Sequence, residues 1–445
     1  TLRRSAASEG ALRRLSAAQA AAMRHTPPGD LAHTALHGRQ LDLAFRLAVP
    51  LGEETAAALD AHAAGESDIL LQTGHGVAGR QLWLFTGQGS HWPGMGRAMA
   101  EGSPAFAACL ERCLAACDVP LDPPLREVMS GQHGALLERM DYAQPAIVAF
   151  GLAMAAHWQA LGLEPDMVLG HSVGEYAAAV VAGHYSIEQI MPLVQRRGTL
   201  MQQWAGGAMR AVVADEATLL PLAGERGLDL AVCNGPRHLV FSGLRDAIDA
   251  LAAVLDAREI RHQRLSVAGA AHSVLLDPIL DAYQHATAPL HAAPGRLPLI
   301  STLLGTVVDA DRLNEADYWR RHLREPVRHD QAVRYALDHG VSVCLELGPD
   351  ASLTGIGRRE AADRAHWIAS ARRQQPAPAL SGLALRQLYA AGVGLPWQTL
   401  LATKGRKVHA PCYPFDRTRY WREAEPAETG PGPAAAAARA ARPPG

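Results

Sequence analysis

The segment of this chain best equipped for chemistry is Gly170-His171-Ser172-Val173-Gly174. It fits G-x-S-x-G and lies between an apolar run, Asp166-Met-Val-Leu169, and an alanine-rich helical run, Glu175 to Gly183. In a strand–turn–helix so spelled, the glycines allow a sharp turn that lifts the serine hydroxyl clear of the backbone. The helix start then points free N–H groups to where an oxyanion develops. The bare pattern also arises by chance in Gly-rich turns, and it is the flanking strand and helix that favour a nucleophile. A serine needs a base. Among 20 histidines, His272 in Gly269-Ala-Ala-His-Ser273 sits among small residues that leave room for a ligand. By pattern alone, a satisfied histidine in a tight loop accounts for it at least as well. His171 faces away from the serine in such an elbow and reads as structural. Arg197, in Gln195-Arg-Arg-Gly198, has the type needed to hold a carboxylate with two parallel bonds. A solvated arginine at a helix end is the bland alternative, and Arg196 beside it leaves the choice open.

These residues need elements to position them. Strands ending in Gly-turns that open helices predict an α/β sheet with its active edge at the strand C-termini. Gln81–Phe85 reads as a strand running into Thr86-Gly-Gln-Gly-Ser90, and Val341–Leu347 as another running into Gly348-Pro349-Asp350. Between 209 and 268 the order is strand, helix, strand, strand, helix, strand, which is the ferredoxin-like motif. Its elements are expected at Met209–Ala214, Glu216–Ala223, Leu228–Cys233, His238–Ser242, Arg245–Ala257 and Ile260–Val267. Residues 1–79 read as a small module: helices at Ser8–Met23, from Asp30 (as N-cap) and at Glu53–Ala64, with a strand at Leu43–Val49. From Glu423 on, Pro, Ala, Gly and Glu give linker composition.

The 445 residues hold 42 Lys plus Arg against 44 Asp plus Glu, a net charge of −2, which argues against a nucleic-acid binder. With 48% hydrophobic and 19% charged residues the body is globular. Its longest apolar run, Ala146–Ala156, is too short to span a bilayer, and no signal pattern opens the chain. The expectation is a cytoplasmic protein without a membrane partner, cut from something longer. Cys109, Cys113 and Cys117 recur every four residues along one helix. No zinc-type pair or nearby histidine completes them, so they read as small buried residues and no metal is expected.

The ordered set Thr86-Gly-Gln-Gly-Ser90, Tyr142-Ala-Gln-Pro-Ala146, Gly170-His-Ser-Val-Gly-Glu175, Gln195-Arg-Arg-Gly198, Ala271-His-Ser273 and Leu345-Glu-Leu-Gly-Pro349 resembles the acyltransferase domain of modular polyketide synthases, relatives of malonyl-CoA:acyl carrier protein transacylases. The resemblance covers about residues 80–375. It implies an α/β-hydrolase-like core with a parallel sheet and an inserted ferredoxin-like subdomain at 209–268. Residues 1–79 resemble the ketosynthase-to-acyltransferase linker. Tyr413-Pro-Phe-Asp-Arg-Thr-Arg-Tyr-Trp421 resembles the post-acyltransferase linker, placed at 376–422, and 423–445 form a tail.

The resemblance makes Ser172 the nucleophile and His272 its base, oriented by a backbone carbonyl. The N–H groups of Gln88 and Val173 become the oxyanion hole. Arg197 binds the acyl group's free carboxylate, with Gln144 in the same pocket. Acyl-CoA is the substrate, the phosphopantetheine thiol of an acyl carrier protein the acceptor and a ketosynthase the neighbour, with no bound cofactor. Gly269, Ala270 and Ala271 occupy the positions that track the acyl unit. They match neither the HAFH of malonyl users nor the YASH of methylmalonyl users. Val173 leans to malonyl, while the absent Phe and Tyr enlarge the pocket, leaving methylmalonyl or a bulkier alkylmalonyl unit as the alternative. His91 replaces the family's usual Gln and reads as a tolerated change. A serine esterase or thioesterase, which would want an acidic third member, and an inactive docking scaffold are the rival readings.

Overall fold

The computed structural model describes residues 1–76, 78–204, 206–267, 269–373, 377–400 and 405–417. The tail expected at 423–445 and the end of the Tyr413–Trp421 segment lie outside them. Near the N-terminus, β1 (Leu2–Ala6), β2 (Phe45–Val49) and β3 (Gln72–His75) form an antiparallel sheet in the order β1-β2-β3. Helices Glu9–Met23, Pro28–Gly38 and Thr55–Ala64 accompany it. Two of these strands were not foreseen. Leu2-Arg-Arg-Ser-Ala6 has no strand-like apolar alternation, yet all five residues are buried. Arg4 donates to Gln19 Oε1, and the Arg3 guanidinium lies 4.8 Å from the centre of the Trp397 ring, so partners distant in sequence make the burial tolerable. Asp30 is not an N-cap either. Pro27 holds that place, and Asp30 in the first turn accepts from the Arg406 amide at 2.9 Å.

The remaining strands are β4 (Arg80–Phe85), β5 (Met167–Gly170), β6 (Ala208–Val212), β7 (Asp229–Gly235), β8 (His238–Gly243), β9 (His262–Arg264), β10 (Leu299–Ser301), β11 (Thr306–Val308), β12 (Val341–Glu346) and β13 (His366–Ala369). Six of them form the main sheet in the order β11-β10-β5-β4-β12-β13, all neighbours parallel except the edge pair β10/β11. Side chains alternate across it. Trp83 and Phe85 join one core, and Leu82 and Leu84 join the other. Both faces are covered, so β5 is buried at every residue, as parallel strands are. The apolar run expected at 146–156 lies in helix Met140–Ala160, which is buried along most of its length rather than on one stripe. Among the described residues no helix is long and apolar enough to cross a membrane.

The second sheet, β7-β8-β6-β9, is antiparallel and has the ferredoxin-like strand order, with helices Glu216–Gly224 and Arg245–Ala257. Its last strand is shorter than the Ile260–Val267 expected, because regular pairing with β6 covers only His262 to Arg264. Residues 405–417 run beside the N-terminal helices. Tyr413 Oη accepts from the Ala7 amide at 2.8 Å, and Val408 donates to Thr34 Oγ1 at 2.9 Å.

Candidate active site

Three adjacent strands, β5, β4 and β12, end on one edge of the main sheet. Their exits are Ser172, the turn 86–90 and Gly348, the edge where open parallel sheets bind ligands. The elbow is as tight as its spelling requires. Ser172 has a positive φ of 50°, rare for a residue with a Cβ. A Cβ on Gly174 would run into the Phe85 carbonyl oxygen, so no other residue fits there. Helix Gly174–Ala182 starts immediately after Ser172 and Val173.

Ser172 Oγ lies 2.8 Å from His272 Nε2, and His272 Nδ1 lies 2.9 Å from the Glu325 carbonyl oxygen. A carbonyl only accepts, so Nδ1 carries the proton and Nε2 is left to accept from the serine hydroxyl. Burial first, then the Arg197 guanidinium and His322, hold His272 well below the usual histidine range. It is therefore neutral near pH 7, the state a base requires. Here a backbone carbonyl takes the place that a carboxylate fills in a three-member triad.

Arg197 and Arg196 separate cleanly. Both lie on helix Ile187–Gln203, whose start is fixed by a Ser186/Gln189 capping box. Arg196 is exposed, whereas Arg197 is only 2% exposed. Gly198 lets this helix press against Met140–Ala160, because a Cβ there would meet the Met140 carbonyl. That approach brings Arg197 Nη1 to 2.6 Å from Gln144 Oε1. The Arg197 Nε has no partner, and among the described residues no carboxylate oxygen lies within 4 Å of the guanidinium. A buried cation met only by a neutral amide and by the Tyr176 ring, whose centre is 5.8 Å away, is short of an anion.

A cavity of about 290 Å³ joins these groups. Ser172, His272, Arg197, Gln88 and Val173 line it. Among the described residues neither the Gln88 nor the Val173 amide donates to a protein acceptor, so both are free for an oxyanion. Ser90 Oγ braces the Gln88 turn with bonds to Thr86 Oγ1 at 3.1 Å and the Gly87 carbonyl at 3.0 Å. Gln144 sits behind Arg197, not on the cavity wall. Gly269 and Ala271 line the cavity, whereas Ala270 is buried against Gly207, outside it. His91 is off the cavity too: its ring accepts weakly from the Gly89 amide at 3.4 Å and so props the same turn. His171 does line the cavity and bonds Asn234 of the second sheet at 3.0 Å, tying the elbow to that subdomain.

Sequence reasoning missed the layer beneath the serine. Glu175 is fully buried. Its Oε2 accepts from the Thr302 amide and hydroxyl, both at 2.8 Å, and its Oε1 accepts from Tyr318 Oη at 2.6 Å. His322 Nε2 lies 3.4 Å from Oε2. Burial pushes the carboxyl up, but His322 and these hydrogen bonds outweigh it and hold it below the usual range. Tyr318 and His322 belong to helix Tyr318–Arg324, and the next residue, Glu325, supplies the carbonyl that orients His272. One carboxylate thus fastens the base-orienting helix to the nucleophile's helix. The only sequence signal was Glu175 itself, a charged residue opening an apolar helix. Cys113 is buried and Cys109 and Cys117 half-buried on or beside helix Pro104–Ala115.

Residues 82–390 match the model of a family described as "Acyl transferase domain". The chain is 38% identical over 416 residues to the polyketide synthase GfsA of Streptomyces halstedii, covering 89% of this chain but only 6% of that protein. Among solved structures it is similar to the acyltransferase domain from module 8 of the salinomycin polyketide synthase, at 31% identity and a TM-score of 0.83, covering 89% of this chain and 97% of the other. It is also similar to the acyltransferase domain of SpnD in complex with 2-(pent-4-yn-1-yl)malonyl, at 28% identity and a TM-score of 0.78, covering 88% and 95%.

Proposed function

We propose a specific reaction for this chain, which belongs to the acyl transferase domain family: it loads a malonyl unit from coenzyme A onto Ser172 and passes it to the phosphopantetheine thiol of an acyl carrier protein in polyketide assembly. The observation that carries this reading is Arg197, a buried cation without a carboxylate partner among the described residues, in the same cavity as the Ser172–His272 pair.

The reaction proceeds in two halves, each through a covalent step. His272 Nε2 takes the Ser172 hydroxyl proton as Oγ attacks the thioester carbonyl carbon. The amides of Gln88 and Val173 hold the oxyanion. Collapse breaks the C–S bond, and His272 returns the proton to the departing coenzyme A sulfur. In the second half the carrier thiol gives its proton to His272 and attacks the acyl-serine carbonyl. Oγ leaves and recovers the proton. Arg197 pairs with the free carboxylate throughout and orients the acyl group.

Val173 on the cavity wall supports malonyl as the acyl unit. A 2-alkylmalonyl unit is the second reading. Gly269 and Ala271 leave their side of the cavity open, and the related SpnD domain carries an alkylmalonyl group. Residues 1–79 and 376–422 are proposed as the linkers toward a neighbouring ketosynthase in a larger cytoplasmic synthase. An esterase would have no use for a carboxylate-binding arginine.

Competition among malonyl-, methylmalonyl- and ethylmalonyl-CoA, read as mass added to Ser172 and then chased with a holo carrier protein, tests the proposal. Malonyl-serine that survives until the carrier is added is the expected result. Hydrolysis without transfer contradicts the transferase reading, and a preference for a substituted malonyl contradicts the choice of unit.

A further inference from the structure

Helix Gly174–Ala182 carries, beside Glu175, a tyrosine with no part in the Ser172–His272 chemistry. Tyr176 is fully buried, and the Arg197 guanidinium carbon lies over its ring, 5.8 Å from the centre. That is within the range of a cation–π contact, which gains strength when water is excluded. The ring is braced from several sides. Trp319 stacks on it at 4.4 Å with 22° between the planes, and His322 packs edge to face with it at 5.6 Å and 88°. Tyr176 Oη and Tyr283 Oη hydrogen-bond each other, and Tyr283, on helix Leu280–Thr287, is also fully buried. Trp319 is itself fixed, because its Nε1 donates to Tyr185 Oη at 3.2 Å.

Arg197 has few other restraints. Among the described residues its guanidinium hydrogen-bonds Gln144 Oε1, and its Nε has no partner. Gln144 is oriented in turn by donation from its Nε2 to Met201 Sδ at 3.2 Å. A long side chain tied at one nitrogen keeps rotamer freedom that an ordered ion pair must remove. Burial pushes both tyrosine hydroxyls up, Tyr283 to about 12, so neither ionises near pH 7. Tyr176 therefore meets the cation as a neutral ring and not as a phenolate, and the charge of Arg197 stays free for a ligand.

We infer that Tyr176 is the positioning residue for Arg197: its braced ring is the platform that sets the guanidinium at the distance a malonyl group spans from Ser172. The inference rests on the proposed malonyl transfer. In malonyl a single methylene separates the acyl carbonyl from the free carboxylate, so nucleophile and cation tolerate little relative drift. One helix removes that drift. The elbow that opens it carries Ser172, its Glu175 fastens the base-orienting helix, and its Tyr176 supports Arg197. Trp319 and His322 belong to helix Tyr318–Arg324, so the platform and the base share one support.

The test compares Y176M/Y283F with Y176F/Y283F in the full chain. Both lack the hydroxyl pair, so neither leaves a tyrosine hydroxyl orphaned, and they differ only in the ring at position 176. Acylation of Ser172 is measured with malonyl-CoA and with acetyl-CoA. Y176F/Y283F should keep the malonyl-to-acetyl ratio of kcat/KM shown by the unsubstituted chain. In Y176M/Y283F that ratio should fall about tenfold or more, the scale of a desolvated cation–π contact, with acetyl loading nearly unchanged. An unchanged ratio, the same fall in both variants, or equal losses of malonyl and acetyl loading overturn the inference. Should Y176M/Y283F fail to fold, phenylalanines of increasing ring fluorination in place of Tyr176, with Y283F, decide the matter. Fluorine withdraws charge from the ring face and hardly alters its shape. A ratio that falls step by step supports the platform, and a flat series overturns it. If the unsubstituted chain is acylated by neither thioester, or prefers acetyl, the malonyl-transfer reading fails instead.

Discussion

The layer beneath Ser172 and the cavity above it treat buried charge in opposite ways. Beneath, both oxygens of Glu175 are met by donors from Thr302 and Tyr318. Above, Arg197 is as deeply buried, but its Nε has no partner, and the Gln88 and Val173 amides beside it also lack acceptors. A buried polar group left unpaired costs stability. The satisfied region is therefore read as scaffold, and the unsatisfied one as a site whose proposed partner is an acyl group with one free carboxylate for Arg197 and a carbonyl oxygen that turns into an oxyanion before the two amides.

The sharpest way to break this comparison is to substitute on both sides and compare signs. Glu175→Leu leaves the buried Thr302 amide without an acceptor and His322 without its carboxylate, while Tyr318 Oη keeps Ser301 Oγ and Thr302 Oγ1 keeps the Gly170 carbonyl. It should cost about 3–5 kcal/mol of stability, the scale for breaking a buried charged network. Denaturant unfolding reads this directly, and unchanged stability would mean that Glu175 is no brace. Arg197→Met removes a buried cation that has no anion. Its stability in the same experiment should hold or rise by about 1 kcal/mol, even as malonyl loading is lost.

The buried histidines sharpen the contrast through pH. His272 and His329 are both held well below the ordinary histidine range, mainly by burial. The unfolded chain therefore binds protons that the folded chain refuses. Stability should be full above the unfolded histidine pKa, about 6.5, and fall as pH drops through it, by about 1.4 kcal/mol per unit for each proton involved. Unfolding at pH 7.5, 6.5 and 5.5 checks the sign. A smaller shift concerns the rate. Arg197 helps depress His272, so Arg197→Ala should move the acid limb of Ser172 acylation to higher pH, measured with an uncharged acyl-CoA. An unmoved limb would show that the arginine and the base do not sense each other.

The sequence carried the parts whose signals are local. The elbow, the Gly-rich turn and the βαββαβ order are written in adjacent residues, and helix Arg245–Ala257 falls where its pattern predicts. What escaped depends on partners far along the chain. Leu2–Ala6 is a strand because Gln19, Tyr389 and Trp397 accommodate its arginines. Glu175 is a brace because Thr302 and Tyr318 come to it from 127 and 143 positions away. Arg196 and Arg197 are the same residue type on one helix, and only the approach of the helix carrying Gln144 distinguishes them. Ala270 shows the converse: it stands between two cavity-lining residues yet points to Gly207, since neighbours in a loop need not share a wall.

In the proposed reaction Arg197 awaits the carboxylate of the acyl group. The most direct test is the ratio of malonyl to acetyl loading on Ser172, from the two coenzyme A thioesters in competition, for the unsubstituted chain and Arg197→Ala. Malonyl should dominate in the first, and in the variant the ratio should fall by about a hundredfold, the scale of a buried charge-assisted pair, with acetyl loading maintained or increased. Equal losses of malonyl and acetyl loading would contradict it.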